Sequence, residues 1–379
     1  MHHIFYLDNS ATTKPCAESE ACLLKALRED WGNPSSLHSL GINAESIVNS
    51  CKKTISKILS CREDELFFTS GGTEANNIAI LGAAISRQKR GRRIVTTSIE
   101  HPSVGATMKS LEEKGFEVIY LKPGADGSVS PEDLYAAIND KTILVSVMLV
   151  NNETGAIQPV KCIADAVKKA NAPALIHTDA VQAFGKMPIN PSSLGVDLLT
   201  ASGHKIHAPK GIGLLYKKKG VTISPTVFGG GQQLGVRPGT EPVPLIAALD
   251  GAAKALLSSL GTDKKIIELN NYTKALLEKI PEVVINSPEN SLPYILNISL
   301  PGYRSETVLH FLDSLGVIVS SGSACSKGKL SDVLSEMGLP INRVDSALRI
   351  SFSRFNTEED ADRLVEGLCL AINKLKRVK

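Results

Sequence analysis

Short apolar runs of strand length alternate with longer stretches of helical period over most of this sequence, and that alternation predicts a doubly wound α/β fold with a mostly parallel sheet. Residues 65–69, 93–98, 117–121, 174–178 and 198–201 read as strands. Residues 142–149 are apolar almost without interruption, as a parallel strand covered on both faces requires. Helices are predicted over 74–85, through 108–114 and over 160–170. Beyond Pro244 the texture changes. Two long helical stretches, 245–259 and 264–277, precede short strands at 294–299, 317–320 and 347–352 and further helices at 305–315 and 358–376. This predicts a smaller α+β C-terminal domain, with the boundary near residue 257.

Composition places the chain among ordinary globular proteins. It has 379 residues, 42% apolar and 21% charged, with a formal charge of +3 spread along its length. That charge gives no footprint for nucleic acid. No apolar run is long enough to span a bilayer, and Met1-His2-His3-Ile4 lacks the layout of a signal peptide, so the cytoplasm is expected. The seven cysteines are scattered with no CxxC pair, which fits neither a disulfide framework nor a zinc site. Two basic clusters read as solvated surface. Lys89-Arg90-Gly91-Arg92-Arg93 is expected to be a glycine C-cap with cations at a helix end, and Lys217-Lys218-Lys219-Gly220 a hairpin turn.

Three segments carry candidate chemistry. Ser70-Gly71-Gly72-Thr73-Glu74-Ala75-Asn76 joins a strand to a helix, where glycines allow close approach and the helix start offers N–H groups to an anion. Asp179 puts a carboxylate at the end of an apolar strand, the edge where open α/β sheets collect ligands, although capping a following helix is also a common job for Asp. Thr200-Ala201-Ser202-Gly203-His204-Lys205 ends another strand with a lysine beside histidine and serine. Such a lysine can give up its proton and condense with an aldehyde. Asp179 and Lys205 at neighbouring strand ends suit a cofactor that has a pyridinium nitrogen at one side and an aldehyde at the other.

Asp179-Ala180-Val181-Gln182, followed by Ser202-Gly203-His204-Lys205 and Pro209-Lys210-Gly211, resembles the cysteine desulfurases of the aminotransferase-like class of pyridoxal-phosphate (PLP) enzymes. The resemblance runs nearly end to end. Leu7-Asp8-Asn9-Ser10-Ala11-Thr12-Thr13, Gly32-Asn33-Pro34-Ser35-Ser36 with His38, residues 69–76, Glu100-His101, Asn151-Asn152-Glu153-Thr154-Gly155, Arg237-Pro238-Gly239-Thr240 and Ser320-Ser321-Gly322-Ser323-Ala324-Cys325 follow in the family's order. It implies a large PLP-binding domain over 16–257, built on a mostly parallel sheet of the seven-stranded type. A small domain of 1–15 with 258–379 would carry the loop of Cys325.

The same resemblance implies roles for individual residues. Lys205 carries PLP and moves protons at the substrate carbon; Asp179 pairs with the ring nitrogen; His101 stacks on the ring and serves as acid or base. Asn152 and Gln182 bond the ring's phenolic oxygen. Gly72, Thr73, Ser202 and His204 hold the phosphate, joined by Thr240 from the partner subunit of a homodimer. Asn33 and Arg349 take the substrate carboxylate, for which a guanidinium fork is well shaped. Cys325 decides the reaction, because its thiolate would attack the sulfur of L-cysteine, leaving L-alanine and a persulfide on the enzyme. A selenocysteine lyase or another aminotransferase-like PLP enzyme is the alternative, and an aminotransferase would not need Cys325. The spacing after Cys325 resembles the long-loop, NifS/IscS-like branch. The sequence ends at Lys379 without the extension that housekeeping members use, which leaves an iron–sulfur scaffold, a tRNA-thiolation enzyme or a cofactor pathway open as sulfur acceptor. Lys327 and Lys329 beside the thiol are expected to favour an acidic partner surface. No metal, membrane or direct nucleic-acid partner is expected.

Overall fold

The computed structural model describes residues 4–258, 263–322 and 330–377. In chain order the first elements are β1 (Phe5–Tyr6), α1 (Ala17–Arg28), α2 (Ser39–Leu59), β2 (Leu66–Thr69) and α3 (Gly72–Arg87). There follow β3 (Arg93–Thr97), α4 (Pro102–Glu113), β4 (Glu117–Leu121), α5 (Pro131–Ala137), β5 (Thr142–Ser146) and α6 (Lys161–Lys169). Next come β6 (Leu175–Asp179), α7 (Pro191–Leu194), β7 (Leu198–Ser202), β8 (Gly213–Lys217), α8 (Val243–Ser258) and α9 (Asp263–Leu277). The chain closes with β9 (Val284–Ile285), β10 (Ile295–Ser299), α10 (Ser305–Ser314), β11 (Val317–Ile318), α11 (Asp332–Glu336), α12 (Ile341–Asp345), β12 (Ala347–Ser351) and α13 (Glu358–Lys374).

A seven-stranded sheet in the order β2-β8-β7-β6-β5-β3-β4 forms the centre. Its pairs are parallel except where β8 runs against β7 and β2. The continuous apolar runs follow from coverage on both faces. Successive residues feed opposite cores: Phe68, Val95, Val145, Ile176 and Leu199 enter one, and Phe67, Ile94, Leu144, Leu175 and Leu198 the other. Helices α2, α6 and α8 close the first face with Val48, Ile163 and Ile246, while α3 and α4 close the second with Ile78, Val104 and Met108. Each fully buried aliphatic side chain contributes about 1.5–3 kcal/mol, which holds this three-layer arrangement together.

Smaller sheets lie toward the C-terminus. The order β12-β10-β9 is antiparallel, and β1 pairs in parallel with β11, so the first strand of the chain joins residues more than three hundred positions later. Among the described residues no helix is long and apolar enough to cross a membrane.

Several expectations change. β5 ends at Ser146; residues 147–150 follow β6 through the Val147 and Leu149 N–H groups, and Met148 and Val150 line a cavity. The turn at 217–220 leaves β8, a strand the periodicity missed, and no strand returns from it; its backbone is tied instead to Asp197 and Glu65. Gly91 is not a left-handed cap. A Cβ there would lie 2.1 Å from the Lys141 carbonyl oxygen, so the glycine permits a backbone crossing. Asp179 is the last residue of β6 and is followed by turns, not by a helix that it could cap.

Candidate active site

The carboxyl ends of β2, β3, β5, β6 and β7 lie on one edge of the sheet, and the site grows from the residues just past them. Lys205 ends a single 3₁₀ turn after β7. The N-terminal segment returns over it, and Lys205 Nζ donates to the carbonyls of Ser10 and of Ala11, the latter at 2.8 Å.

Asp179 is 6% exposed at the end of β6. Its Oδ1 accepts from the Val181 N–H at 2.9 Å and its Oδ2 from Asn76 Nδ2 at 2.7 Å. Both donors are neutral, so they fix the carboxylate without cancelling its charge. Asn76 reaches it from α3 and does more: Nδ2 also donates to Ser103 Oγ at 2.9 Å, and Oδ1 accepts from Thr200 Oγ1 at 2.5 Å. Ser103 in turn lies 2.8 Å from His101 Nδ1, which accepts the Ser103 backbone N–H at 3.1 Å and so caps α4. A ring nitrogen that accepts a backbone N–H carries no proton, so neutral His101 holds its proton on Nε2. Burial lowers the His101 pKa; Asp179 raises it and the charge of Lys205 lowers it.

On the other side, burial and then the charge of Lys205 push His204 down to about 4, which leaves it neutral at pH 7; its Nδ1 lies 3.1 Å from Thr12 Oγ1. Arg349 projects from β12 and is 1% exposed. One amino group donates to Asp8 Oδ1 at 2.9 Å and the other to the Asn152 carbonyl at 3.1 Å, while Nε is buried without a partner among the described residues.

A cavity of about 250 Å³ joins these groups. Its wall includes Gly72, Thr73, His101, Asn152, Asp179, Gln182, Ser202, His204, Lys205 and Arg349. Thr240 is exposed and Asn33 is exposed with its Oδ1 on the Ser35 N–H at 3.0 Å; neither lines this cavity in the single chain. Asn33 therefore stands apart from Arg349 and the cavity within one chain. Cys325, with Lys327 and Lys329, lies outside the described residues.

The donor set fits PLP with an amino acid beside it. Among the described residues no side chain caps α3, which leaves its first N–H groups, at Gly72 and Thr73 in the cavity wall, suited to an anion. Gly72 has no room for a side chain, since a Cβ would stand 2.8 Å from Val181 Cγ2. An uncancelled buried carboxylate suits a pyridinium, an amine suits an aldehyde, and the buried unpartnered Nε of Arg349 suits a carboxylate.

Sequence reasoning assigned no role to Asn76, Ser103, Asp8 or the Ser10 and Ala11 carbonyls, though all but Ser103 fall inside matched motifs. It also passed over Glu100, which supports the 147–150 segment by accepting from the Met148 N–H and from Thr97 Oγ1, both at 2.8 Å. Burial pushes the Glu100 carboxyl up to about 8.

The sequence profile of the aminotransferase class-V family matches residues 5–364. A curated relative named cysteine desulfurase IscS, from Methanosarcina thermophila, is 40% identical over 98% of this chain and 93% of its own length. Another of that name, from Clostridium botulinum, is 41% identical over 97% of this chain and 94% of its own. Among solved structures, a NifS-like protein superposes with a TM-score of 0.93 at 37% identity, covering 98% of this chain and 100% of that one. SspA in complex with cysteine gives a TM-score of 0.80 at 31% identity, over 93% and 99%.

Proposed function

Given that the chain belongs to the aminotransferase class-V family and is a PLP-dependent cysteine desulfurase, we propose that Lys205 carries the cofactor and that Cys325 receives the sulfur of L-cysteine. The observation that carries this reading is the convergence of Lys205, Asp179 and His101 on one cavity with Arg349. Bound there, PLP supplies an aldehyde for amines and a ring that accepts electrons from the substrate's α-carbon.

The chain's own groups account for the rest. Asp179, pinned by Asn76 and Val181, keeps a proton on the ring nitrogen. Gln182 and Asn152 bond the ring's phenolic oxygen. Thr73, the start of α3, Ser202 and His204 bind the phosphate; His204 stays neutral and donates from one ring nitrogen without adding charge. Arg349 receives the substrate carboxylate through its unpartnered Nε, with Asp8 and the Asn152 carbonyl holding the guanidinium plane. Lys205 Nζ moves the α-proton, and His101 offers its Nε2 proton on the ring face. The Cys325 thiolate attacks the substrate sulfur; the carbon–sulfur bond breaks, and the carbon takes a proton to become alanine.

The flanks of the Cys325 segment support its part in this reading. Ser320 exchanges backbone hydrogen bonds with Arg349 at 3.1 and 2.7 Å, and Ser331 Oγ donates to Glu153 Oε2 at 2.5 Å. One flank thus attaches to Arg349 in the wall of the substrate site, and the other to Glu153, the residue after the wall residue Asn152. The name IscS of the curated relatives fits sulfur donation to an iron–sulfur pathway. We also infer a homodimer in which Thr240 reaches the partner's phosphate site, and a division into a large unit of 16–257 and a small unit of 1–15 with 258–379. The pairing of β1 with β11 supports grouping the N-terminal residues with the C-terminal ones.

Incubation with L-cysteine tests the whole reading. Alanine should form with a persulfide on Cys325. Cys325→Ala should stay coloured by the lysine–cofactor linkage and lose sulfur transfer, whereas Lys205→Ala should lose the colour. Persistence of cysteine turnover in Cys325→Ala would point instead to an aminotransferase-like reaction.

A further inference from the structure

Lys186 is a buried cation that the chemistry above does not use. It lies in the turns after β6, one helical-type step beyond Gln182, and is 7% exposed. Its Nζ donates to Gln182 Oε1 at 3.2 Å and stands 5.8 Å from the centre of the Tyr294 ring. Burial, reinforced by the charges of Lys205 and Arg349, brings its pKa down to about 7. A lysine in such a place is costly unless its donor is used.

Its neighbour shows the use. An ammonium has donors only, so facing a carboxamide across a hydrogen bond it calls for the oxygen, and Oε1 of Gln182 faces Lys186. The amide nitrogen is thereby turned the other way, where Nε2 donates to the Ser10 carbonyl at 3.0 Å. That carbonyl is an acceptor only, so it enforces the same orientation, and it also accepts from Lys205 Nζ. One N–H of Gln182 is spent on Ser10, which leaves the second for the cavity that Gln182 lines. A cationic donor on the amide oxygen also polarises the amide, strengthening the opposite N–H as a donor.

We propose that Lys186 is a positioning residue that locks Gln182 as a pure donor toward the cavity, and so selects a cofactor whose ring bears an anionic oxygen at that point. The inference rests on the proposed contact of Gln182 with the phenolic oxygen of PLP. Without Lys186, the amide is held by Ser10 alone, against a carbonyl already shared with Lys205, and its donor is weaker.

The test is binding to the apoprotein by equilibrium dialysis, with PLP and with 3-deoxypyridoxal 5′-phosphate, which lacks only the ring oxygen. Lys186→Met should weaken PLP roughly tenfold, the worth of one charge-assisted hydrogen bond, and leave the deoxy analogue within about twofold. Gln182→Ala should reduce the same ratio, and the double variant should be no worse than Gln182→Ala. Equal loss for both ligands, or no loss, in Lys186→Met would overturn the inference while Gln182→Ala still upholds the contact. An unchanged ratio in Gln182→Ala would overturn the contact and the inference together. Should the melting temperature of the apoprotein show that methionine is not accommodated, Lys186→Gln serves. Its amide can donate or accept and forces no orientation, so the ratio should again fall, and an unchanged ratio there would equally count against the role of Lys186.

Discussion

Asn76 does at residue scale what no single motif announces. Through one carboxamide it ties Asp179, Thr200 and Ser103 together, and through Ser103 it reaches His101. Asn76→Ala would strand two buried polar atoms, Asp179 Oδ2 and Thr200 Oγ1, each costing about 1–3 kcal/mol when left unpaired, while Ser103 keeps His101, so PLP affinity should fall by tenfold or more in an absorbance titration. Asn76→Asp should be worse despite its matching shape. A second carboxylate against Asp179 would force one of the pair to hold a proton, weakening the charge that faces the ring nitrogen. Wild-type affinity in Asn76→Asp would contradict this account. The contrast with Lys205 and Asp179 shows what is legible in the sequence. Those two are charged residues at the ends of apolar strands, where a ligand edge is expected. Asn76 lies on a helix face, and its importance exists only once α3 packs across β6 and β7. The carbonyls of Ser10 and Ala11 leave no side-chain signature at all. Asn33 shows the reverse case, a residue in a matched motif that is exposed in the single chain.

At the scale of elements, the N-terminal segment behaves as part of the site. After β1 it carries Asp8 to Arg349, Ser10 and Ala11 to Lys205, and the Ser10 carbonyl to Gln182. Asp8→Asn would leave the guanidinium of Arg349 buried without its anion, at a cost of about 3 kcal/mol. The apoprotein should melt at a lower temperature, and KM for cysteine should rise, because Asp8 no longer holds the guanidinium plane that meets the substrate carboxylate. A fall in KM would mean that the substrate carboxylate competes with Asp8 for Arg349. Periodicity could not foresee this segment, since its two-residue strand is far below the length at which a pattern emerges. For a related reason β8 was missed: it is short, flanked by glycine and lysine, and gains its place only by pairing with β2 and β7. α1 went unread because Leu24 and Leu27 stand 40% and 55% exposed, so its apolar residues do not mark a single buried face. The parallel strand β5 is legible because burial on both faces writes itself as a nearly unbroken apolar run, and β3, β6 and β7 are legible as short β-branched or apolar stretches between helical ones.

The whole molecule presents apolar surface that a single chain leaves exposed: Trp31 at 63%, Leu37 at 96%, Phe228 at 85% and Leu234 at 81%. Side chains of this size at such exposure mark an interaction surface. Trp31 and Leu37 lie beside and within the segment 32–38, and Phe228 and Leu234 precede the segment 237–240, and the matched motifs of both segments contribute nothing to the chain's own cavity. Arg237 bonds Glu74 at 3.2 Å at the start of α3, and Gln233 pairs with the backbone of Phe68 on the edge strand β2, so the stretch leading to Thr240 is braced at two points while Thr240 itself is exposed. In the homodimer proposed above, each phosphate site takes its Thr240 from the other chain, and this has a consequence that a monomer would not share. Thr240→Glu should place an anion against the partner's phosphate and abolish cofactor binding in a homodimer of that variant, as Lys205→Ala abolishes cofactor attachment in its own. Mixing the two, unfolding and refolding them together, yields mixed dimers with one defective pair and one intact pair: Lys205 from the Thr240→Glu chain with Thr240 from the Lys205→Ala chain. Visible absorbance and cysteine turnover should reappear at up to half the wild-type level per mixed dimer, and at no level in either parent alone. If Thr240 served its own chain, no combination could restore a complete site, and the refolded mixture would stay colourless.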